Sequence, residues 1–107
     1  MPRDVLPQRR GGETVQFRHW NMDFCATTGH YQDGRLGEVF LSGGKLTSQA
    51  ATMAEDAAIA ISLALQYGCP VAVLRHAFQR KAAPEPGVLG EPVGPLARLM
   101  DLLEQKP

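Results

Sequence analysis

The chain has 107 residues, of which eleven are basic, eleven are acidic and 44% are hydrophobic. This length fits one domain with a small core. Because the charges cancel, composition gives no support to nucleic acid or an anionic membrane surface as a partner. No apolar run approaches the roughly 20 residues that a bilayer span needs. We therefore expect a cytoplasmic protein that binds neither nucleic acid nor membrane.

The amino-terminal segment, residues 1–12, contains two prolines, two glycines and the pair Arg9-Arg10. This composition disfavours both helix and strand and buries little apolar surface. We predict a flexible basic arm over 1–12 and a single domain over 13–107.

Three extended segments follow, at about 14–20, 23–31 and 35–42, each rich in β-forming residues. Asp33-Gly34 lies between the second and third segments and is typical of a tight hairpin turn. The third segment does not alternate strictly, so Gly37 either lies at a β-bulge or belongs to a strand covered on both faces.

A long helix is predicted from a cap at Thr47 or Ser48 to about Tyr67, where Gly68 and Pro70 end it. Its predicted buried stripe comprises Ala50, Met53, Ala54, Ala57, Ile61, Ala64 and Leu65.

The spacing predicts a second helix over about 71–81, with Pro70 at its first position. We predict a Pro/Gly-rich loop over residues 82–95 and a terminal helix over 96–104. The expected fold class is α+β, a small antiparallel sheet of about three strands packed on one long and two shorter helices.

Two stretches, Tyr31-Gln32-Asp33-Gly34-Arg35-Leu36-Gly37-Glu38-Val39-Phe40-Leu41 and Ala58-Ile59-Ala60-Ile61-Ser62-Leu63-Ala64-Leu65-Gln66-Tyr67-Gly68-Cys69-Pro70, resemble a known family. The resemblance is to the TSCPD domain at the carboxyl end of cobalamin-dependent ribonucleotide reductases. The order of motifs is similar, with a threonine-glycine strand, an Asp-Gly hairpin, a Gly-Glu-Val-Phe strand and a Leu-Gln-Tyr-Gly helix end. Leu6-Pro7 and Arg9-Arg10 precede these motifs, and Ala77-Phe78 follow. The motif positions to which we give a structural role are Asp33, Gly34, Gly37, Glu38, Gly68 and Pro70.

The resemblance implies a relationship to ribonucleoside-diphosphate reductase, but it does not transfer the activity of the whole enzyme. That reaction needs a thiyl-forming cysteine, a reducing cysteine pair and a large barrel, and this sequence has only Cys25 and Cys69. We therefore expect no complete reductase and no catalytic residues here. The family enzymes use cobalamin, and we expect no cofactor in this chain.

Gly43, Gly44, Lys45, Thr47 and Ser48 resemble an anion cradle, because a glycine-rich turn before a helix presents free amides and a positive dipole end. This segment lacks the spacing of a Walker loop. An ordinary strand-to-helix turn explains the same residues, so a phosphate-bearing ligand such as a nucleotide is an open alternative.

Many members of the family that the chain resembles carry extra cysteines suspected of binding metal, whereas this sequence offers only Cys25 and Cys69 as candidates. Structural zinc prefers four Cys or His ligands in close pairs, and neither cysteine has such a neighbour. The competing interpretation makes both thiols small apolar groups.

Several side chains leave structural and functional interpretations open. Glu55 and Asp56 are expected on the helix surface or in a salt link to Arg75 or Arg80. Glu38 is a candidate for a buried or interface hydrogen bond. The alternating Trp20, Met22 and Phe24 either fill the core or form an aromatic surface for a partner.

The predicted function is a non-catalytic accessory domain related to ribonucleotide reductase, which binds another protein such as a reductase chain or self-associates into an oligomer. The long helix is apolar around much of its circumference, which favours docking. One alternative is a small subunit of a split ribonucleoside-diphosphate reductase that supports deoxynucleotide and DNA synthesis. The other is a small metal-binding redox protein.

Overall fold

The computed structural model describes residues 2–43 and 48–104. In chain order the elements are β1 (Thr14–His19), β2 (Met22–His30), β3 (Leu36–Gly43), α1 (Gln49–Gln66), α2 (Val71–Ala77) and α3 (Pro95–Glu104). The strands form one antiparallel sheet in the order β1-β2-β3. One face of the sheet is covered by helices, and the predicted α+β class is confirmed.

The turn between β1 and β2 consists of two residues, because His19 pairs directly with Met22. Trp20 and Asn21 both have positive φ, at 54° and 57°, which is the geometry of a two-residue hairpin turn. The prediction that Trp20 belongs to the first strand is therefore wrong by one residue. Its side chain is exposed, whereas Phe24 is buried in the core.

The predicted Asp-Gly hairpin joins β2 to β3. The amide of Gly34 donates to the carbonyl of Tyr31, and only Gly34 of the Asp-Gly pair has positive φ, at 92°. Gly37 is the extra residue of a β-bulge, since pairing steps from Gly29–Glu38 to His30–Leu36. The predicted bulge is confirmed. Three consecutive buried residues, Gly37 to Val39, show that this part of β3 is also covered on both faces.

Helix α1 begins after Ser48, whose hydroxyl accepts a hydrogen bond from the Ala51 amide at 3.2 Å. It ends at Gln66, and Gly68, with φ of 100°, turns the chain away while the amide of Cys69 donates back to the carbonyl of Ala64. Both predicted ends are confirmed. The predicted buried stripe is partly wrong: Met53 is exposed, and the buried residues are Ala51, Ala54, Ala58, Ile61, Ser62, Leu65 and Gln66.

Helix α2 is shorter than predicted, because the backbone turns extended at Phe78. Pro70 is its cap rather than its first helical residue. The two ends of the following loop lie side by side: Arg80 pairs with Pro92 in an antiparallel bridge, and the Lys81 amide donates to the carbonyl of Glu91. Helix α3 then closes the core, and its Leu99 and Met100 are fully buried together with Val39 of β3.

The amino-terminal segment makes defined contacts over residues 2–12. The Asp4 amide donates to the carbonyl of Gln66 at 2.8 Å, and Gly11 pairs with His30 in register with β1. A side chain at Gly37 would place its Cβ 2.6 Å from Leu6, so the bulge glycine makes room for this segment. The predicted flexibility of the arm stays a prediction, since these contacts describe its position and not its motion.

Candidate functional site

An apolar groove of about 590 Å³ runs between α1, the start of α3 and the β1–β2 turn. None of the described residues that line it is charged. The side chains that give it its character are Trp20, Met53, Ala57, Phe78, Val93 and Leu96. Trp20 is 52% exposed and Met53 is 72% exposed. Large apolar side chains grouped at the surface are typical of a surface that another molecule covers.

Trp20 occupies a backbone conformation that bulky L-residues rarely adopt. A left-handed residue other than glycine, asparagine or aspartate costs about 1–2 kcal/mol. The hairpin would form more easily with asparagine or glycine at this position. The tryptophan therefore contributes nothing that the turn requires, and its exposed ring forms one wall of the groove.

The predicted anion segment is only partly described, because Gly44, Lys45 and Thr47 lie outside the described residues. Ser48 is the helix cap. Gly43 lies against the Phe24 ring, which leaves no room for a side chain at this position. These two residues therefore have the structural roles that an ordinary turn demands. A phosphate or nucleotide ligand at this segment stays a prediction.

A shallow cavity of about 690 Å³ with a mixed polar and apolar lining lies beside this segment and includes Gly43 and Ser42. Arg18 is the cation among its described lining residues, and its guanidinium pairs with Asp23 at 2.8 Å. The lining also includes the Glu55 carboxylate. Two carboxylates against one guanidinium make this cavity a poor match for a phosphate group.

The two cysteines lie on different elements, Cys25 within β2 and Cys69 just after α1, and both are half-buried free thiols. The Cys69 thiol lies 3.7 Å from the carbonyl of Pro70. Among residues 2–43 and 48–104, no group of three or more His, Cys, Asp or Glu side chains could hold a metal ion.

Glu38 is 8% exposed and forms an ion pair with the Arg10 guanidinium, whose Nη1 donates to the carbonyl of Pro7 at 2.6 Å. A Cβ at Gly29 would collide with the Glu38 carboxylate, so the glycine opposite makes space for it. The predicted buried hydrogen bond is present. Glu38 and Gly29 thus attach the amino-terminal segment to the outer face of the sheet.

The turn aspartate of the motif also has a structural role. Asp33 accepts a hydrogen bond from the Arg35 amide at 3.0 Å and pairs with the Arg35 guanidinium. These hydrogen bonds from Arg35 hold the pKa of Asp33 below its usual value. The motif at this hairpin therefore encodes a turn, and its charged side chains are bonded to each other.

A partly buried ion cluster that the sequence pattern did not indicate joins α2, the Pro/Gly-rich loop and α3. Arg80 donates to both carboxylate oxygens of Asp101, at 2.8 and 2.9 Å, and Arg75 donates to the same carboxylate at 3.1 Å. The hydrogen bonds from Arg80 lower the pKa of Asp101, and the same bonds raise the pKa of Arg80. Of the two alternatives for Glu55 and Asp56, the helix surface is the one observed, since Asp56 is exposed and Glu55 half-buried, while Arg75 and Arg80 pair with carboxylates of α3.

No helix within the described ranges is both long and apolar enough to cross a membrane. Sequence reasoning identified Trp20 as a candidate surface residue but did not identify the groove. The available signal was the excess of apolar residues around α1, since a helix that is apolar on most sides needs more cover than one sheet supplies.

Comparison with known proteins identifies relatives across most of the chain. The family model of the TSCPD domain matches residues 2–101. The chain is 40% identical over 76 residues, 71% of its length, to a vitamin B12-dependent ribonucleotide reductase of Agrobacterium fabrum. It is 34% identical over 90 residues, 84% of its length, to a protein of the same description in Streptantibioticus cattleyicolor.

The match covers 6% of the Agrobacterium protein and 15% of the Streptantibioticus protein, so the chain corresponds to a small part of these relatives. No solved structure matches it significantly. The motifs carried by the β2–β3 hairpin and the end of α1 lie inside the matched residues. The chain belongs to the TSCPD domain family.

Proposed function

We propose that this chain is a non-catalytic accessory domain that docks onto a ribonucleotide reductase chain through the apolar groove between α1, α3 and the β1–β2 turn. The observation that carries the proposal is Trp20, a large ring held exposed on a strained turn at the wall of an uncharged groove. Backbone strain that folding does not require is a characteristic of functional positions.

The chemistry of the groove favours a protein partner over a small polar ligand. Tryptophan and methionine are enriched in the buried centres of protein interfaces, where charged residues are depleted. The exposed Met53 adds an adaptable side chain that can fill an irregular gap in a partner surface.

The relatives supply the argument for a reductase chain as the partner. In the proteins that it resembles, the matched segment is 6% to 15% of a longer chain named vitamin B12-dependent ribonucleotide reductase. A domain that shares a chain with an enzyme remains close to it at high effective concentration. We infer that the groove of this chain still binds a reductase chain. By binding the enzyme, the domain would support deoxynucleotide supply in the cytoplasm.

The test measures binding of the purified chain to a vitamin B12-dependent ribonucleotide reductase from which the TSCPD segment has been removed. We expect saturable binding of the unaltered chain in a calorimetric or interferometric titration. Met53→Glu places a charge in the groove at an exposed position, so it should weaken binding tenfold or more without unfolding the domain. Trp20→Asn should weaken binding similarly.

Val73→Glu is the matched control, because Val73 is 55% exposed on α2 and does not line the groove. It should bind as the unaltered chain does. Absence of binding, or equal losses in the Met53 and Val73 variants, would refute docking through the groove. A rise in reductase activity on binding would extend the proposal to the small subunit of a split reductase.

A further inference from the structure

The two edges of the sheet differ in whether their outward backbone groups have hydrogen-bond partners. At the β3 edge, the Ser62 hydroxyl accepts from the Val39 amide at 2.9 Å and lies 3.0 Å from the Val39 carbonyl. The side-chain amide of Gln66 donates to the carbonyl of Gly37 at 3.0 Å. Helix α1 therefore satisfies outward backbone groups of β3 and closes that edge to another strand.

The β1 edge has no such cover among the described residues. Gly11 and Glu13 accept backbone hydrogen bonds from β2, at His30 and Thr28 respectively. Along an antiparallel strand, residues whose backbone groups bond to the neighbouring strand alternate with residues whose backbone groups point away from it. The backbone N–H and C=O groups of the odd-numbered residues of β1 therefore point toward β2, and those of the even-numbered residues point outward. The outward residues are Thr14, Gln16 and Arg18, and all three are exposed.

Devices that normally protect an edge strand are weak in β1. It is six residues long and contains neither proline nor lysine. Its cation, Arg18, pairs with Asp23 of the adjacent strand at 2.8 Å and also donates to the carbonyl of Asn21. The charge that would repel an approaching strand is thereby compensated within the hairpin.

We propose that a second copy of this chain pairs with this edge, β1 against β1, in an antiparallel register centred on Gln16. In this register Gln16 of one copy lies opposite Gln16 of the other, and Thr14 lies opposite Arg18. Three pairs of outward residues exchange about six backbone hydrogen bonds. Two three-stranded sheets become one sheet of six strands.

The side chains agree with this register. On the helix-covered face, the half-buried Val15 of one copy meets the half-buried Phe17 of the other, an aromatic and β-branched pair that stabilises neighbouring strands. Centring the pairing on Arg18 instead would oppose two guanidinium groups and lose hydrogen bonds. An edge that pairs with itself about a two-fold axis favours a second copy over an unrelated strand.

This surface differs from the apolar groove, so the inference and the proposed function can fail separately. The first measurement is the mass of the chain by light scattering after size-exclusion chromatography, over a range of concentrations. We expect a dimer that dissociates on dilution. Gln16→Pro removes the central outward amide but leaves the bonds between β1 and β2 intact, so this variant should be a folded monomer.

Gln16→Val is the matched control, because it retains the backbone amide and should remain dimeric. Amide hydrogen exchange of the unaltered chain gives a second measurement that needs no variant. The amides of Thr14, Gln16 and Arg18 should exchange at least about tenfold more slowly in the dimer than in the monomer.

A monomer at all concentrations would overturn the inference. So would a dimer in which these three amides exchange as fast as in the monomer, and this second result would place self-association at another surface. A folded Gln16→Pro variant that still dimerises would also contradict it. Binding of the reductase by a monomeric Gln16→Pro variant would support the groove independently.

Discussion

The hydroxyl of Ser62 lies within hydrogen-bond distance of both backbone groups of Val39, at 2.9 Å from its nitrogen and 3.0 Å from its oxygen. Both residues are buried. A serine in the middle of a helix normally disfavours the helix or bonds to its own backbone. Here the hydroxyl lies 2.9 Å from the carbonyl of Ala58 in its own helix and also serves as the partner that a neighbouring strand lacks, so this contact connects α1 to the sheet.

Removing this hydroxyl should destabilise the domain. Ser62→Ala leaves the buried Val39 amide without its acceptor, and we expect a loss of about 1–3 kcal/mol in the free energy of unfolding, measured with urea. Ser42→Ala, at an exposed position of β3, should change it by less than about 0.5 kcal/mol. Equal stability of the two variants would show that the Ser62 contact is not needed.

A methyl group at the bulge should detach the amino-terminal segment. In Gly37→Ala the new Cβ would lie 2.6 Å from Leu6 and 2.7 Å from the Tyr31 ring, so Leu6 must move away. We expect faster trypsin cleavage after Arg9 and Arg10. Gly11→Ala is the control, because its Cβ meets nothing within 4 Å. Identical cleavage rates in both variants would contradict the proposed anchoring.

Acid should weaken the partly buried ion cluster. The pKa of Asp101 is lowered in the folded state, chiefly by hydrogen bonds from Arg80. Its contribution to stability is therefore complete above the ordinary value of 3.8 and is lost as the pH falls through the folded pKa. At neutral pH, Asp101→Asn should cost about 1–3 kcal/mol, because the partly buried Arg80 loses the charge-assisted hydrogen bonds to the carboxylate.

The difference in unfolding free energy between the unaltered chain and Asp101→Asn should shrink as the pH falls below 3.8. Asp23→Asn breaks the exposed pair with Arg18 and should cost less than about 1 kcal/mol at any pH. A pH-independent difference for Asp101→Asn would exclude the ion cluster as its source.

The β1–β2 turn should allow stability and docking to be separated. Trp20→Asn relieves an unfavourable backbone conformation, and we expect the free energy of unfolding to rise by about 1 kcal/mol. Asn21→Gly, at the second turn position, should be at least as stable and should leave the groove unchanged. A destabilised Trp20→Asn variant would show that the ring supports the fold, which would weaken the case for a docking role.

The strands and the ends of α1 could be predicted because their signals are local: alternating apolar residues, an Asp-Gly turn, a capping serine and a terminal glycine. The buried face of α1 could not be predicted in the same way. Ser62 and Gln66 turn toward the β3 edge, so the buried face is rotated by roughly a quarter turn from the stripe that apolarity alone indicates. Met53 consequently lies outside.

The end of α2 depends on contacts that are distant in sequence. Arg80 donates to Asp101, and Lys81 pairs with Glu91, so the backbone leaves the helix before either residue. The groove also depends on residues that are distant in sequence, since its walls come from the first turn of the sheet, α1 and the start of α3. No window of the sequence contains all three, although the apolarity of α1 indicated that something must cover it.

Leu99 and Met100 are the most deeply buried large side chains of the domain together with Val39 of β3, yet they belong to the last helix of the fold. During synthesis the sheet and α1 emerge before the side chains that complete their core. The growing chain can form hairpins and one amphipathic helix, but it cannot exclude water from their shared face until α3 has been made. The domain is therefore expected to fold in a single step once α3 is available, and fragments that end before residue 96 are expected to be substrates for chaperones or proteases.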